Sequence, residues 1–485
     1  MIPTTVRSPE PAAERRPAVG SKLRLGVHSM ALEGDAIARW GNYVVFVPGA
    51  IPGEEVEAEV VSVGRKHGRA RLIRVLTASP HRVAPPCPHF GACGGCTWQH
   101  IAYPEQLKLK ERLLASTLEL ALGDRVAVLP AAGIDPPWQF RDKVHFVVGR
   151  EAGSKGPKPA LGHYAVHSRT FIPVKECRVH SEAGNRLAFK LRDLLAENGV
   201  PAAKDDMPGS GVARHVLVRT SARTGESQAV LVSTKRDFPA LRSIAKAMTE
   251  GEDAASGFHL NIHRREGNLI LGSFTRRITG HERLEEEVAG VRFRISPSSF
   301  FQTSVRAAET LVGLVIGALP SRPDGPVLDL YAGVGLFALP LARRGYRVTA
   351  VEENPIAIRD GIESGRRSGI RSCRFVEGRV EEQLRSLSRQ ESFATVLLDP
   401  PREGCSERVL QLVARAVRPQ RIVYVSCDPR ALVRDLRILR AGGFAVEDVR
   451  PVDMFPQTAH IEAVAKLRYL GGGRPSPRFQ KRRRP

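Results

Sequence analysis

Cys427 follows an apolar run at 421–426 and is itself followed by Asp428 and Pro429. Aspartate suits a helix N-cap and proline the first helical position, so the thiol is expected beside a helix N-terminus, where the dipole favours thiolate. A cysteine after an apolar strand is more often inert core, and its neighbours must decide between the two. A second apolar run, 394–398, ends in Asp399-Pro400-Pro401-Arg402. Two prolines lack N–H donors, so the backbone there is rigid and non-helical, and it holds a carboxylate at a strand end. An isolated Asp-Pro pair is more commonly a plain turn or helix start. A third stretch, Asp453-Met454-Phe455-Pro456-Gln457-Thr458-Ala459-His460-Ile461-Glu462, precedes a strand-like run at 463–470. Glu462 among apolar neighbours is expected to have a raised pKa and to act as a general base; the bland alternative is an exposed loop glutamate.

A glycine turn completes the set. The run 326–330 leads through Asp329 into Tyr331-Ala332-Gly333-Val334-Gly335-Leu336-Phe337, followed by a helical pattern. Gly333 and Gly335 allow a tight turn and a close backbone approach by a ligand near a helix N-terminus. Glu352 ends the next strand, where its carboxylate can bind the ribose hydroxyls of an adenosine. The pattern suits S-adenosylmethionine or NAD, and a bare G-x-G is often only a turn.

Cys87, Cys93 and Cys96 form C-x5-C-x2-C, with Cys177 remote from them. Seven cysteines in a long chain without a secretory signal argue against a disulfide framework and for metal binding or catalysis. Three clustered thiolates and one remote suit an iron–sulfur cubane or a four-thiolate zinc site, and spacing leaves both open. Cys373 and Cys405 are read as structural.

The elements that must position these groups follow the same order along the chain. Residues 1–20 read as a flexible arm. Short β-rich runs between 21 and 80, separated by turn residues, suggest a small oligonucleotide-binding-type barrel. Residues 81–295 carry the cysteine cluster, a helix at 104–122 and alternating strands and helix of unassigned topology. From 296 to 470 apolar β-branched runs at 326–330, 347–352, 373–376, 394–398 and 421–426 alternate with helical segments. That is repeated βαβ and hence a parallel sheet with helices on both faces. Such sheets bind ligands along the carboxyl edge of the strands, where the glycine turn, Asp399 and Cys427 all fall. Residues 471–485 form a basic tail. Overall the fold class is α/β and multidomain.

A chain of 485 residues, 42% hydrophobic and 26% charged, can bury two or three cores. Its net charge of +22 would attract a polyanion. No apolar run approaches the ~20 residues that span a bilayer. No signal peptide is evident, so a cytoplasmic protein without a membrane partner is expected.

Together these segments resemble the uracil-5 RNA methyltransferase family, and in particular its iron–sulfur branch acting on 23S ribosomal RNA. Ser426-Cys427-Asp428-Pro429 is similar to the family's catalytic cysteine segment. Asp453–Glu462 is similar to its second signature, whose glutamate is taken as the base. Ser298-Ser299-Phe300-Phe301-Gln302 resembles the segment whose glutamine contacts the cofactor, and 329–337 its S-adenosylmethionine loop. The resemblance implies a TRAM barrel at 21–80, an α+β central domain at 81–295 and a Rossmann-like methyltransferase domain at 296–470. It implies a [4Fe–4S] cluster on Cys87, Cys93, Cys96 and Cys177 in the central domain. It further implies S-adenosyl-L-methionine bound by Gln302, Asp329, Tyr331, Gly333, Gly335, Glu352 and Asp399. Leu336 departs from the family, where several relatives have Asn, and the third-strand contact around Gly378-Arg379 has no firm match.

The expected function is methylation of carbon 5 of a uridine in structured RNA, ribosomal RNA first and transfer RNA as the alternative. A monomer that binds no DNA is expected. The rivals are an NAD-dependent oxidoreductase, which leaves the basic charge and both C-terminal signatures unexplained, and a non-catalytic RNA-binding protein, against which intact Cys427, Glu462 and Gln302 argue.

Overall fold

The computed structural model describes residues 16–123, 125–150, 158–166, 168–203, 211–264 and 270–471. Most of the arm at 1–20 and nearly all of the tail at 471–485 lie outside the described residues. The chain divides into two compact units. One holds residues up to Gly91, 96–109 and 457–460; the other holds 92–95, 110–456 and the residues from Ile461 onward.

In the first unit the strands Lys22–Met30, Ala36–Trp40, Tyr43–Val47, Glu55–Val63 and His67–Thr77 close into a barrel. Each of the first four alternates buried with exposed or half-buried positions, the two-residue period of a sheet with one face inward. Residues 457–460 are tied to 97–106 within this unit. The Thr97 and Trp98 amides donate to the Gln457 carbonyl at 3.0 and 2.9 Å, and Gln106 exchanges two 2.9 Å hydrogen bonds with Gln457.

The second unit contains two large sheets. One orders its strands Phe274–Gly280, Gly257–Ile262, Ser227–Ser233, Ala213–Thr220, Lys143–Arg150, Pro159–Tyr164 and Phe171–Pro173. All pairings in it are antiparallel except that of Ser227–Ser233 with Gly257–Ile262. Helices Glu182–Glu197 and Leu241–Thr249 bury their apolar stripes on it. A hairpin, Leu284–Val288 with Val291–Ile295, follows. Its two turn residues, Ala289 and Gly290, both have positive φ, as a tight right-twisted hairpin turn requires.

The other sheet runs Cys373–Glu377, Val348–Glu352, Val327–Leu330, Thr395–Leu398, Arg421–Ser426, Glu462–Tyr469 and Phe444–Val452. The first five are parallel, as the βαβ rhythm predicts. The purely parallel expectation is corrected at the far edge. Glu462–Tyr469 pairs antiparallel with both Arg421–Ser426 and Phe444–Val452, so the sheet is mixed. Phe444–Val452 takes the sheet edge, and the chain returns from it to place Glu462–Tyr469 between that strand and Arg421–Ser426, a hairpin-like reversal that cannot give a parallel pair. Helices Val380–Gln390, Glu407–Leu412 and Pro429–Ala441 share one buried cluster with the sheet strands. Ala338–Arg343 and Pro355–Arg367 pack on strands Val348–Glu352 and Cys373–Glu377. Among the described residues no helix is long and apolar enough to cross a membrane.

Candidate active site

The carboxyl edge of the mixed sheet opens into a cavity of about 980 Å³. Gln302, Tyr331, Gly333, Glu352, Asp399, Cys427 and Glu462 all line it. A space of this size accommodates a nucleoside ligand together with a second ring.

The glycine turn is fixed by the strand beside it. Glu352 accepts from the Gly333 amide at 2.8 Å and from the Asn354 amide at 2.8 Å, so one carboxylate ties the turn to the next helix start. Tyr331 and Gly333 have positive φ, and Tyr331 lies with its hydroxyl beside Cys405. Two expected contacts sit differently. Asp329 is fully buried within its strand and does not line the cavity; burial, with Asp399 and Glu352 nearby, holds its carboxyl well above the usual range. Gly335 is also absent from the wall. Its φ is +84°, and a Cβ there would meet Phe375 at 2.8 Å, so this glycine serves helix–strand packing.

Gln302 is held from both sides. Asp360, 0% exposed, accepts from the Ser296 amide at 2.7 Å and from the Ser299 hydroxyl at 2.6 Å, with Arg283 paired at 3.0 Å. On the other side the Asp142 and Lys143 amides both donate to the Thr303 carbonyl at 2.7 and 3.2 Å, and Asp142 accepts from the Val305 amide at 2.8 Å. Burial raises the Asp142 carboxyl to about 6.

Asp399 stands at the end of Thr395–Leu398, and burial pushes its carboxyl up to about 7. The loop after it is clamped by the buried Asp435, which accepts from the Cys405 amide at 2.7 Å and the Tyr424 hydroxyl at 2.5 Å. Gly404 has φ +76°, and a Cβ there would fall 2.5 Å from Arg434, so the clamp depends on this glycine.

Cys427 is half-buried at the end of Arg421–Ser426. Asp428 caps the helix Pro429–Ala441, accepting from the Arg430 and Ala431 amides at 2.7 and 3.2 Å. The expected helix N-terminus is therefore in place, yet the thiol is not acidified. Burial, then Glu462 and Asp399, push it up to about 11, with Arg402 opposing. Desolvation, reinforced by the two nearby carboxylates, sets this direction. Glu462 opens the strand Glu462–Tyr469, is 6% exposed, and is held well above the ordinary carboxylate range by burial and by Asp399. Asp453, first residue of the same signature, pairs with Lys110 at 2.7 Å, both nearly wholly buried.

Sequence reasoning passed over Arg402, Phe300 and Phe455, which also face the cavity. Arg402 stood in the quoted Asp-Pro-Pro-Arg run, and a cation next to an expected thiolate was the signal available. The segments without a firm match, Leu336 and Gly378-Arg379, line the cavity as well.

Of the four remaining cysteines with an expected shared role, Cys87 and Cys96 belong to the first unit and Cys93 and Cys177 to the second, and all four are half-buried. The Gly95 amide donates to the Cys93 sulfur at 3.4 Å.

Comparison with known proteins places this geometry in context. The sequence profile described as tRNA (Uracil-5-)-methyltransferase matches residues 257–469, and that of the TRAM domain matches 17–73. An uncharacterized RNA methyltransferase of Gloeobacter violaceus is 36% identical over 450 residues, covering 92% of this chain and 96% of the relative. One from Listeria monocytogenes is 34% identical over 446 residues, covering 92% and 97%. Among solved structures, the Pyrococcus abyssi tRNA (uracil-54, C5)-methyltransferase in complex with S-adenosyl-L-homocysteine superposes with a TM-score of 0.73. It is 25% identical, and the match covers 92% of this chain and 99% of that one.

Proposed function

Because the chain belongs to the RNA (uracil-5-)-methyltransferase family, enzymes that take their methyl group from S-adenosylmethionine, we propose that it methylates carbon 5 of a specific uridine in 23S ribosomal RNA through a covalent Cys427 adduct. The observation that carries this reading is the convergence of Cys427, Glu462, Asp399 and the Gly333 turn on one cavity.

Carbon 5 of uracil is a weak nucleophile. Addition of the Cys427 thiolate to carbon 6 leaves an enolate, and carbon 5 then attacks the sulfonium methyl group, releasing S-adenosylhomocysteine. Glu462 removes the carbon-5 proton, the carbon-6–sulfur bond breaks, and the thiolate is regenerated. Glu352 and the Gly333 amide region hold the nucleoside of the donor, and Gln302 and Asp399 complete its site, with Tyr331 on the wall. The acidic surroundings that raise the thiol are suited to a cationic sulfonium, and its positive charge favours the thiolate when both occupy the cavity. The target base must leave its stack to reach this depth.

Cys87, Cys93, Cys96 and Cys177 form the donor set for a [4Fe–4S] cluster in this reading. Four half-buried thiols suit it, and the Gly95 amide already aimed at the Cys93 sulfur is a hydrogen bond of the kind that stabilises cluster thiolates. Bound there, the cluster would supply metal–thiolate bonds to these four side chains; no step of the methyl transfer runs through it. Barrel, central and methyltransferase domains are proposed at 21–80, 81–295 and 296–470, and the protein as a cytoplasmic monomer.

A second reading keeps the chemistry and changes the RNA to transfer RNA, and it is favoured by the Pyrococcus neighbour's own substrate. Mapping 5-methyluridine in ribosomal and transfer RNA from cells lacking the gene separates the two. Loss of one 23S site supports the proposal; loss confined to transfer RNA supports the second reading; loss of neither contradicts both.

A further inference from the structure

Lys143 and Arg219 stand directly opposite each other on the antiparallel strands Lys143–Arg150 and Ala213–Thr220. Side chains alternate along a strand, and Val144 and Val218 point into the core that includes Leu187 and Ile244 of the two helices. The two cations therefore share the sheet face turned away from those helices. Like charges in directly opposed positions are destabilising. Here both are also withdrawn from water, since Arg219 is 7% exposed and Lys143 half-buried.

Neither cation is neutralised by a partner of its own. Burial, then the Arg219 charge, push the Lys143 amine down to about 8, and no carboxylate acts against them. Among the described residues Arg219 makes no hydrogen bond or ion pair, and its buried Nη2 is without a partner. Glu286, Asp142 and Asp360 act on it only at longer range. Each is engaged elsewhere: Glu286 by the Ser221 hydroxyl at 2.8 Å, Asp142 by the Val305 amide at 2.8 Å, and Asp360 by Arg283 at 3.0 Å. A guanidinium carries five donors, and burying them unbonded is unfavourable unless a ligand supplies acceptors. Arg219 lies over the Phe301 ring, with the guanidinium carbon 5.7 Å from its centroid. Phe301 and Gln302 line the active-site cavity, so the pair stands against the cavity wall.

We propose that Lys143 and Arg219 together bind a backbone phosphate of the RNA, next to the uridine that enters the cavity. This rests on reading the substrate as RNA, and adds where the strand beside the target base is gripped. A guanidinium meets a phosphate through two parallel N–H···O bonds, and the Lys143 ammonium adds a further donor from the neighbouring strand. The phosphodiester brings one negative charge, which offsets the cross-strand repulsion. Phosphate contacts carry no sequence information, but they fix the register of the strand and so decide which base reaches the cavity. In this account the pair costs stability in the free protein and recovers it on RNA binding.

The test measures binding of the full chain to a labelled oligouridylate of about ten nucleotides across a range of KCl concentrations. Lys143→Gln and Arg219→Gln are each expected to weaken binding about fivefold or more, and Lys143→Arg to retain it. For the double variant Lys143→Gln with Arg219→Gln, the plot of log affinity against log salt should be shallower by about 0.7, the loss of one single-strand phosphate contact. Arg186→Gln removes the same charge from helix Glu182–Glu197, on the other face of the sheet, and should change neither affinity nor slope. Lys143→Gln should melt at or above the wild-type temperature, because it removes a repulsion, and should bind S-adenosylhomocysteine as the wild type does. If the buried Arg219→Gln does not fold, Lys143→Gln carries the test. Affinity unchanged by Lys143→Gln, no binding of the oligouridylate by the wild type, an equal loss in Arg186→Gln, or a lowered melting temperature in Lys143→Gln overturns the site. So does a folded double variant whose slope is parallel to that of the wild type. Methyl transfer by the wild type to neither ribosomal nor transfer RNA overturns the methylation reading alone.

Discussion

Cys427 and Glu462 leave the sheet side by side: Ser426 pairs with Ala463 in the antiparallel ladder, and the thiol and carboxylate are the next residue on each strand. The Glu462 carboxylate, after burial, is a principal cause of the raised Cys427 thiol. The proposed base and nucleophile are thus positioned by one strand pair, and the charge of each disfavours ionisation of the other. An incoming cation relieves that conflict, which links chemistry to donor binding.

The first consequence is a pH profile. With its thiol at about 11, Cys427 is mostly protonated at neutral pH, and its thiolate fraction rises tenfold per pH unit below that value. Methyl transfer under kcat/KM conditions is expected to climb steadily from pH 6 to 9. Arg402 lowers the thiol. Arg402→Gln should therefore slow the reaction roughly three- to tenfold at pH 8 and move the limb to higher pH. A profile falling with pH, or unmoved by Arg402→Gln, contradicts the assignment.

Glu352 accepts two amides, one from the glycine turn. Hydrogen bonds to a charged group are worth about 1.5–3 kcal/mol, so Glu352→Ala should weaken S-adenosylhomocysteine roughly 10- to 100-fold. Calorimetric titration measures this directly, and an unchanged Kd would show that the carboxylate does not organise the site.

Lys110 and Asp453 form a buried pair at the root of the second signature. Lys110→Met leaves Asp453 without its counter-ion and should cost about 3–5 kcal/mol in denaturant unfolding. Lys110→Met with Asp453→Leu should recover much of that loss. Equal stability of the single variant and the wild type would refute the pairing.

Glu286, buried in the hairpin, has its carboxyl raised to about 7 by burial, from an ordinary value of 4.5. A raised carboxyl favours the folded state while protonated, so its contribution is complete below 4.5 and is lost as pH rises through 7. Between pH 5 and 8 the wild type should lose about 2.5 kcal/mol relative to Glu286→Gln, because each tenfold difference in proton affinity between folded and unfolded chains corresponds to about 1.4 kcal/mol. Parallel stability curves for the two proteins would contradict this.

The parallel half of the fold was legible because each βαβ unit announces itself locally: an apolar β-branched strand, a turn residue, a capped helix. Asn354 and Asp428 both cap helices with proline at the first position, as the sequence reading of Asp428 requires. Strand Phe444–Val452 escaped notice because its outer part mixes polar and apolar residues and slips register between Val446 and Asp448. Without it the antiparallel edge, and with it the pairing that sets Glu462 beside Cys427, could not be deduced. Sequence also shows that a loop is glycine-rich without showing which side chains face the ligand, hence the buried Asp329 and the packing role of Gly335. The direction in which the Cys427 thiol moves depends on its burial and on two carboxylates, Glu462 and Asp399, brought to it by two other strands, which no local pattern reveals.

The most direct test of covalent catalysis is the mass of Glu462→Gln after incubation with uridine-containing substrate RNA and S-adenosylmethionine, read under denaturing conditions. Without its base the enzyme should stall after methyl transfer. The predicted product is a species of protein plus methylated RNA, joined through the peptide containing Cys427 and absent when Cys427→Ala is added. An unmodified protein mass together with released 5-methyluridine RNA would contradict the account.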